Sequence, residues 1–190
     1  SAQDQIWLGG INEYQGQSDY GNYKLTFDGN TGTPAFAALK MNFEGTTAVA
    51  TDSDGAILFY SNGCYIATAD GDTMPNSTGL NPGEMSEWTC GSAGYANPRG
   101  ALVLKKPGGG SIYYLFHLGI RYEAQKKLSY GPFYYTVVDM SLNNGEGAVT
   151  EKNVIIADGF LEPFSAVHHG NGRDWWLVFS EYQTNRYHKV

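Results

Sequence analysis

Residues Thr46 to Gly63, TTAVATDSDGAILFYSNG, run as an apolar strand, a tight Asp54-Gly55 turn and an aromatic strand in immediate succession. The same order returns in RGALVLKKPGGGSIYYLFHLG (Arg99 to Gly119), turning at Gly108-Gly109-Gly110, and in FSAVHHGNGRDWWLVFSEY (Phe164 to Tyr182), turning at Asn171-Gly172. Each turn offers the positive-φ positions that a two- or three-residue hairpin loop demands. A hairpin recurring at intervals of roughly 55 to 65 residues is the mark of a repeat architecture.

The repeat extends beyond the hairpin. NYKLTFDGNTGTP (Asn22 to Pro34) precedes the first, and FYYTVVDMSLNNGEGAVTEKNVIIADG (Phe133 to Gly159) precedes the third. Tyr23 to Asp28 then corresponds to Tyr135 to Asp139, with turns at Gly29/Gly32 and at Gly145/Gly147. Each unit reads as an inner hairpin, an outer strand, a turn and a strand leading onward. The expectation is an all-β chain: a β-propeller of four-stranded antiparallel blades, with a β-sandwich as the alternative. Residues 1–190 read as one domain of three to four blades, the N-terminal part of a longer chain. Ile6-Trp7-Leu8 is then expected to pair with a strand from beyond Val190.

Composition agrees with short strands and tight turns: 25 Gly, 14 Tyr and 16% charged residues, with no pattern for an amphipathic helix of three or more turns. A formal charge of −7 and a pI near 4.9 oppose nucleic acid as a partner, since that would need clustered Lys and Arg. Lys105-Lys106 and Lys126-Lys127 read as solvated strand ends. No apolar run reaches the length of a membrane span.

Cys64 and Cys90 are the only cysteines, and they share one Gly/Asn-rich stretch, Ser61 to Gly100. Their spacing fits neither a CxxC redox motif nor a zinc site. The expectation is a disulfide, worth roughly 3 to 4 kcal/mol through the loop it closes, against two separate buried thiols. Ser1-Ala2-Gln3 is what signal-peptidase cleavage after a small residue leaves. Both features point to a secreted or cell-surface protein.

Five stretches in this order, ATDSDGAILFYSNG, NGCYIATADGDTMPNSTGLNPGE, RGALVLKKPGGGSIYYLFH, VVDMSLNNGEGAVTEKNVII and AVHHGNGRDWWLVFSE, resemble the N-terminal propeller-like region of large secreted proteins of Bacteroidetes-type bacteria. The resemblance spans roughly Thr46 to Glu181 and is most specific at His169-x-Asn171-Gly172-x-Asp174-Trp175-Trp176. It implies a propeller and export by type IX secretion, although the C-terminal sorting domain of such proteins is not in this sequence. It brings no catalytic residues to this chain. It also makes Thr73, in Asp72-Thr73-Met74, a candidate for O-glycosylation; Asn76-Ser77-Thr78 is an Asn-linked sequon.

For chemistry, the sequence has neither a GxSxG elbow nor an HExxH helix. Glu84, Glu87, Glu123, Glu162 and Glu181 are scattered, and nothing sets any two at the separation glycoside hydrolysis requires. No catalytic residue is assigned. His168 and His169 are adjacent on a strand and point to opposite faces, so one ion cannot easily take both. They read as one exposed ring and one ring hydrogen-bonded beside the Asn171-Gly172 turn; His117 reads as structural. Asp52-x-Asp54 has a sufficient explanation as a hairpin turn, leaving Asp70 and Asp72 as the weak candidates for calcium. Trp175 and Trp176 should lie on opposite faces of their sheet, one of them in its core. Trp88, in the cysteine loop, is the candidate for an exposed residue that stacks on a ligand.

Two function classes follow. One is a noncatalytic recognition or adhesion propeller whose loops contact a glycan or a protein. The other is a hydrolase acting on polysaccharide, with its site in a channel completed by further blades. Converging carboxylates at the channel mouth would favour the second, and exposed aromatics on a broad loop surface the first.

Overall fold

The computed structural model describes residues 6–11, 21–123 and 127–190. Their strands form four antiparallel sheets, each built from strands consecutive in the chain. The first holds β1 (Ile6–Gly9), β2 (Tyr23–Asp28) and β3 (Thr31–Phe36), and the second β4 (Ala48–Thr51), β5 (Ile57–Ser61) and β6 (Ile66–Thr68). The third holds β7 (Ala101–Lys105), β8 (Ile112–Glu123), β9 (Lys127–Asp139) and β10 (Ala148–Ala157). The fourth holds β11 (Ser165–His168), β12 (Trp175–Ser180) and β13 (Tyr187–Lys189). The chain is therefore all-β apart from one-turn pieces such as α1 (Glu84–Thr89).

The three hairpins read from the sequence open the second, third and fourth sheets. Gly55, Gly108, Gly110 and Gly172 take φ of 82°, 66°, 59° and 69°, where any other residue except Asn or Asp is strained. In the first of these turns Asp52 Oδ1 accepts the N–H groups of Asp54 and Ala56, both at 2.9 Å. In the last, Asn171 Oδ1 accepts those of Arg173 and Asp174, both at 3.0 Å. Short polar side chains thus close the loops that the strands alone would leave open.

Side-chain alternation along the strands stacks the sheets in chain order. Tyr60 faces the first sheet, packing with Ile6, Leu8 and Phe43, while its neighbour Phe59 faces the third, with Val103, Leu115 and Val138. One strand later, Val103 belongs to that core and Leu104 to the next, with Phe133, Phe164, Leu177 and Phe179. Period-two patterning therefore gives the middle sheets two buried faces each. Trp175 packs against the core between sheets three and four, and Trp176 lies on the other face with Lys189 Nζ 4.4 Å from its ring centre.

Three expectations need correction. Tyr23–Asp28 is not the counterpart of Tyr135–Asp139: β2 is the second strand of its sheet, directly after β1, whereas β9 is the third of its own. The two share composition because both are central strands with a partner on either side. Gly32 lies inside β3, facing Phe27 across the ladder, and the turn is made at Gly29 and Asn30. Ile6-Trp7-Leu8 pairs on one side with Thr26-Leu25-Lys24 of its own sheet. Four strands per sheet holds for the third sheet; the others have three among the described residues.

Candidate functional site

The first strands of the four sheets, β1, β4, β7 and β11, come together around one cavity of about 720 Å³. Ile6 and Trp7, Thr47 to Val49, Ala101 to Leu104, and Phe164 to His168 supply its walls, and Arg99 and Trp175 its remaining lining. Most of this wall is apolar backbone-paired strand. The exceptions carry the chemistry: two indoles, one imidazole, one guanidinium and the hydroxyls of Thr47 and Ser165. Thr47 is committed to the fold, its Oγ1 donating to Leu8 O at 3.0 Å. His168 stacks on Trp175 with ring centres 3.7 Å apart, so one face of that indole is covered. Trp7 is 59% exposed, touching Phe27 edge-on at 5.0 Å.

Among the described residues no carboxylate lines this cavity. Glu84 and Glu87 sit in the first turn of α1, where the helix dipole favours negative charge. Glu181 Oε2 accepts from Arg186 at 3.5 Å, and its Oε1 lies 2.9 Å from His188 Nε2. Glu162 is not part of the lining, and the Glu123 side chain lies outside the described residues. The two converging acids that glycoside hydrolysis uses are not supplied to the cavity by the described residues.

His168 ends β11 and His169 follows it, and their rings lie against Trp175 and Trp176, which occupy opposite faces of the sheet. His169 stacks near Trp176, and its Nδ1 accepts the Asn171 N–H at 3.1 Å, which fixes the tautomer with its proton on Nε2. The Asn171-Gly172 turn also carries Asp174, whose carboxyl is held down at about 2 by hydrogen bonds from Arg173 and Asn171. That group is a turn-former and is already paired.

The second feature is the long excursion from β6 to β7. Cys64 and Cys90 are disulfide-bonded, with Cα atoms 5.5 Å apart. A Gly/Asn-rich stretch is not where a core is expected. Instead Cys64, Met85, Tyr95 and Ile120 form a small buried cluster of their own, and the Tyr95 hydroxyl accepts the Ile120 N–H at 2.7 Å. Burial pushes that phenol up to about 12. α1 was not foreseen; Gly83 before Glu84 and Glu87 is the signal that marks its start.

The excursion also straps onto the outer strand of the third sheet. Val149 N–H donates to Pro75 O at 3.0 Å, Asn76 Nδ2 to Val149 O at 3.0 Å, and Lys152 Nζ to Thr78 O at 2.7 Å. Trp88 is 59% exposed on it, with its ring centre 4.7 Å from that of Tyr122. Thr73 is exposed. Asp70 is exposed too, and Asp72 is joined to Lys40 at 2.6 Å, so one of its oxygens is engaged by an ammonium. No group of three or more His, Cys, Asp or Glu side chains suited to a metal occurs among the described residues.

A second groove, about 550 Å³, lies between sheets three and four, with Leu104, Tyr114, Phe116, Trp175 and Leu177 in its walls. Among the described residues no helix is long and apolar enough to cross a membrane. The disulfide suits an oxidising compartment. Neither family models, curated proteins nor solved structures contain a match to this chain.

Proposed function

We propose that the four sheets are successive blades of a β-propeller and that the protein is a secreted or cell-surface recognition module, noncatalytic in this region, with a glycan or a protein as its ligand. Consecutive strands in each sheet, sheets stacked face to face in chain order, and first strands gathered around one cavity are what a propeller requires. The exposed outer faces of sheets one and four are covered by further sheets of the same kind. The disulfide and the resemblance over Thr46 to Glu181 support export, by type IX secretion in a Bacteroidetes-type bacterium.

The observation that carries recognition over hydrolysis is the make-up of the cavity: indoles, an imidazole and a guanidinium, with no carboxylate among the described residues. Aromatic walls with a few fixed polar groups bind and orient a ligand. Trp88 beside Tyr122 adds a second exposed aromatic surface on the strap.

A panel of immobilised glycans, run beside an assay for new reducing ends on soluble polysaccharides, tests this. Saturable binding without release of reducing ends is the expected result. Release of reducing ends that follows the purified protein and disappears on substituting one of its glutamates would overturn it.

A further inference from the structure

Arg99 stands where an arginine is out of place. It occupies the third position of the turn Asn97-Pro98-Arg99-Gly100, closed by the Gly100 N–H donating to Asn97 O at 2.9 Å. Proline second and positive φ third is the pattern of a type II turn, whose third position is kept for Gly or Asn. Arg99 has a φ of 59° there, a conformation that strains an L side chain. Strain of this kind persists only when the surroundings impose it, and here they do. Asn97 is fully buried, donating from Nδ2 to Leu118 O at 2.7 Å and accepting from Thr46 Oγ1 on its carbonyl at 2.9 Å. The Leu118 N–H holds Gly100 O at 2.8 Å. Gly100 must stay bare, since a Cβ would lie 2.6 Å from Asn97.

Arg99, held on this base, lines the cavity of the four first strands. Among the described residues no carboxylate is within ion-pair distance of it. In a chain of net charge −7, the described residues of the cavity thus bring a cation and no counter-charge. Its most exposed aromatic wall is Trp7, with Ser165 exposed on β11. A planar guanidinium pairs with a carboxylate through two parallel hydrogen bonds, and an indole offers an apolar platform for a ring.

We infer that this cavity binds a saccharide carrying a carboxylate, Arg99 pairing with the acid and Trp7 covering the sugar ring. The inference rests on the recognition reading above and narrows it to uronic-acid chemistry at one place. A peptide C-terminus carries the same charge but no pyranose face for Trp7, so it is the competing ligand to exclude.

The test is calorimetric titration of the purified full chain with trigalacturonate, with its fully methyl-esterified form, and with an N-acetylated tripeptide bearing a free C-terminus. Trigalacturonate binds; esterification and Arg99→Gly each weaken it about 10- to 100-fold, the loss of a charge-assisted pair. Arg99→Gly unfolds no earlier than the parent, because glycine removes the strain at this φ, and Arg99→Asn serves as the second variant. Equal binding of the ester, equal or tighter binding of the tripeptide, or indifference to Arg99→Gly and Arg99→Asn would each overturn the inference. Saccharide binding lost in Trp88→Ala and kept in Arg99→Gly would sink this site and leave recognition standing. Failure to bind trigalacturonate while neutral glycans bind has the same meaning, and failure of every saccharide would sink this site together with the glycan branch of the recognition reading.

Discussion

His117 and Asn81 share a buried hydrogen bond, Nδ1 to Oδ1 at 2.8 Å, although they lie 36 residues apart. Asn81 Nδ2 donates to Gly63 O, so its Oδ1 accepts and the imidazole carries its proton on Nδ1. His117 Nε2 then accepts from Thr136 Oγ1 at 3.0 Å, and Thr136 Oγ1 accepts the Asn153 N–H at 3.2 Å. Asn153 Oδ1 closes the circle by accepting the Asn81 N–H at 3.3 Å. This ring of four side chains pins the disulfide excursion to the middle and outer strands of the third sheet.

The ring requires a neutral imidazole, and burial pushes His117 down to about 3. The unfolded chain takes up this proton below about pH 6.5, the folded one only near 3. The stabilisation is complete above pH 6.5 and is lost as pH falls through that window. Between pH 7 and pH 5 the loss from this group amounts to about 2 kcal/mol. Asp139, Asp158 and Asp174 are all lowered by hydrogen bonds to their carboxylates, so their contribution is lost only below about pH 4. Urea midpoints at pH 7, 6 and 5 should fall in the parent and fall less steeply in His117→Gln. Parallel pH profiles would contradict the ring.

The disulfide closes a loop with a sequence separation of 26. Reduction should therefore lower stability by roughly 3 to 4 kcal/mol. Intact mass after alkylation should show no modified thiol in the native protein and two after reduction. Two alkylated thiols without reductant would contradict the bond and weaken the case for export.

The sequence made the turns legible because positive φ at Gly55, Gly108, Gly110 and Gly172 selects for glycine locally. The split of Trp175 and Trp176 between faces was legible for the same kind of reason, a period of two. Grouping strands into sheets was not: Tyr23 and Tyr135 head similar stretches, and only long-range pairing reveals that they hold different positions. The hydrogen-bond ring was hidden because Asn81, His117, Thr136 and Asn153 are spread over four elements. Arg99 looked like the start of a strand; its turn is visible only through the Gly100 to Asn97 bond.

Thr73 is exposed, as an acceptor must be. Asn76 in the neighbouring sequon has a φ of 61°, and its amide nitrogen is spent on Val149 O. A sugar on that nitrogen would break the strap. Glycopeptide mapping of natively produced protein should find Thr73 modified and Asn76 bare, and an unmodified Thr73 would remove the proposal.

The outer faces of sheets one and four expose Phe36 and Tyr187, each at 76%. Apolar sheet faces of this kind invite association. Residues 1–190 produced alone should self-associate or be cut rapidly by protease. A monomer with one sharp, cooperative unfolding transition would contradict the claim that further sheets cover these faces.

The most direct measurement is an experimental structure of the longest natural form of the protein. The account predicts β1, β4, β7 and β11 as innermost strands related by rotation about one axis, with the Asp54-Gly55, Gly108 to Gly110 and Asn171-Gly172 turns at equivalent radial positions. Hairpins that merge into one continuous sheet, or sheets that stack without a common axis, would contradict it.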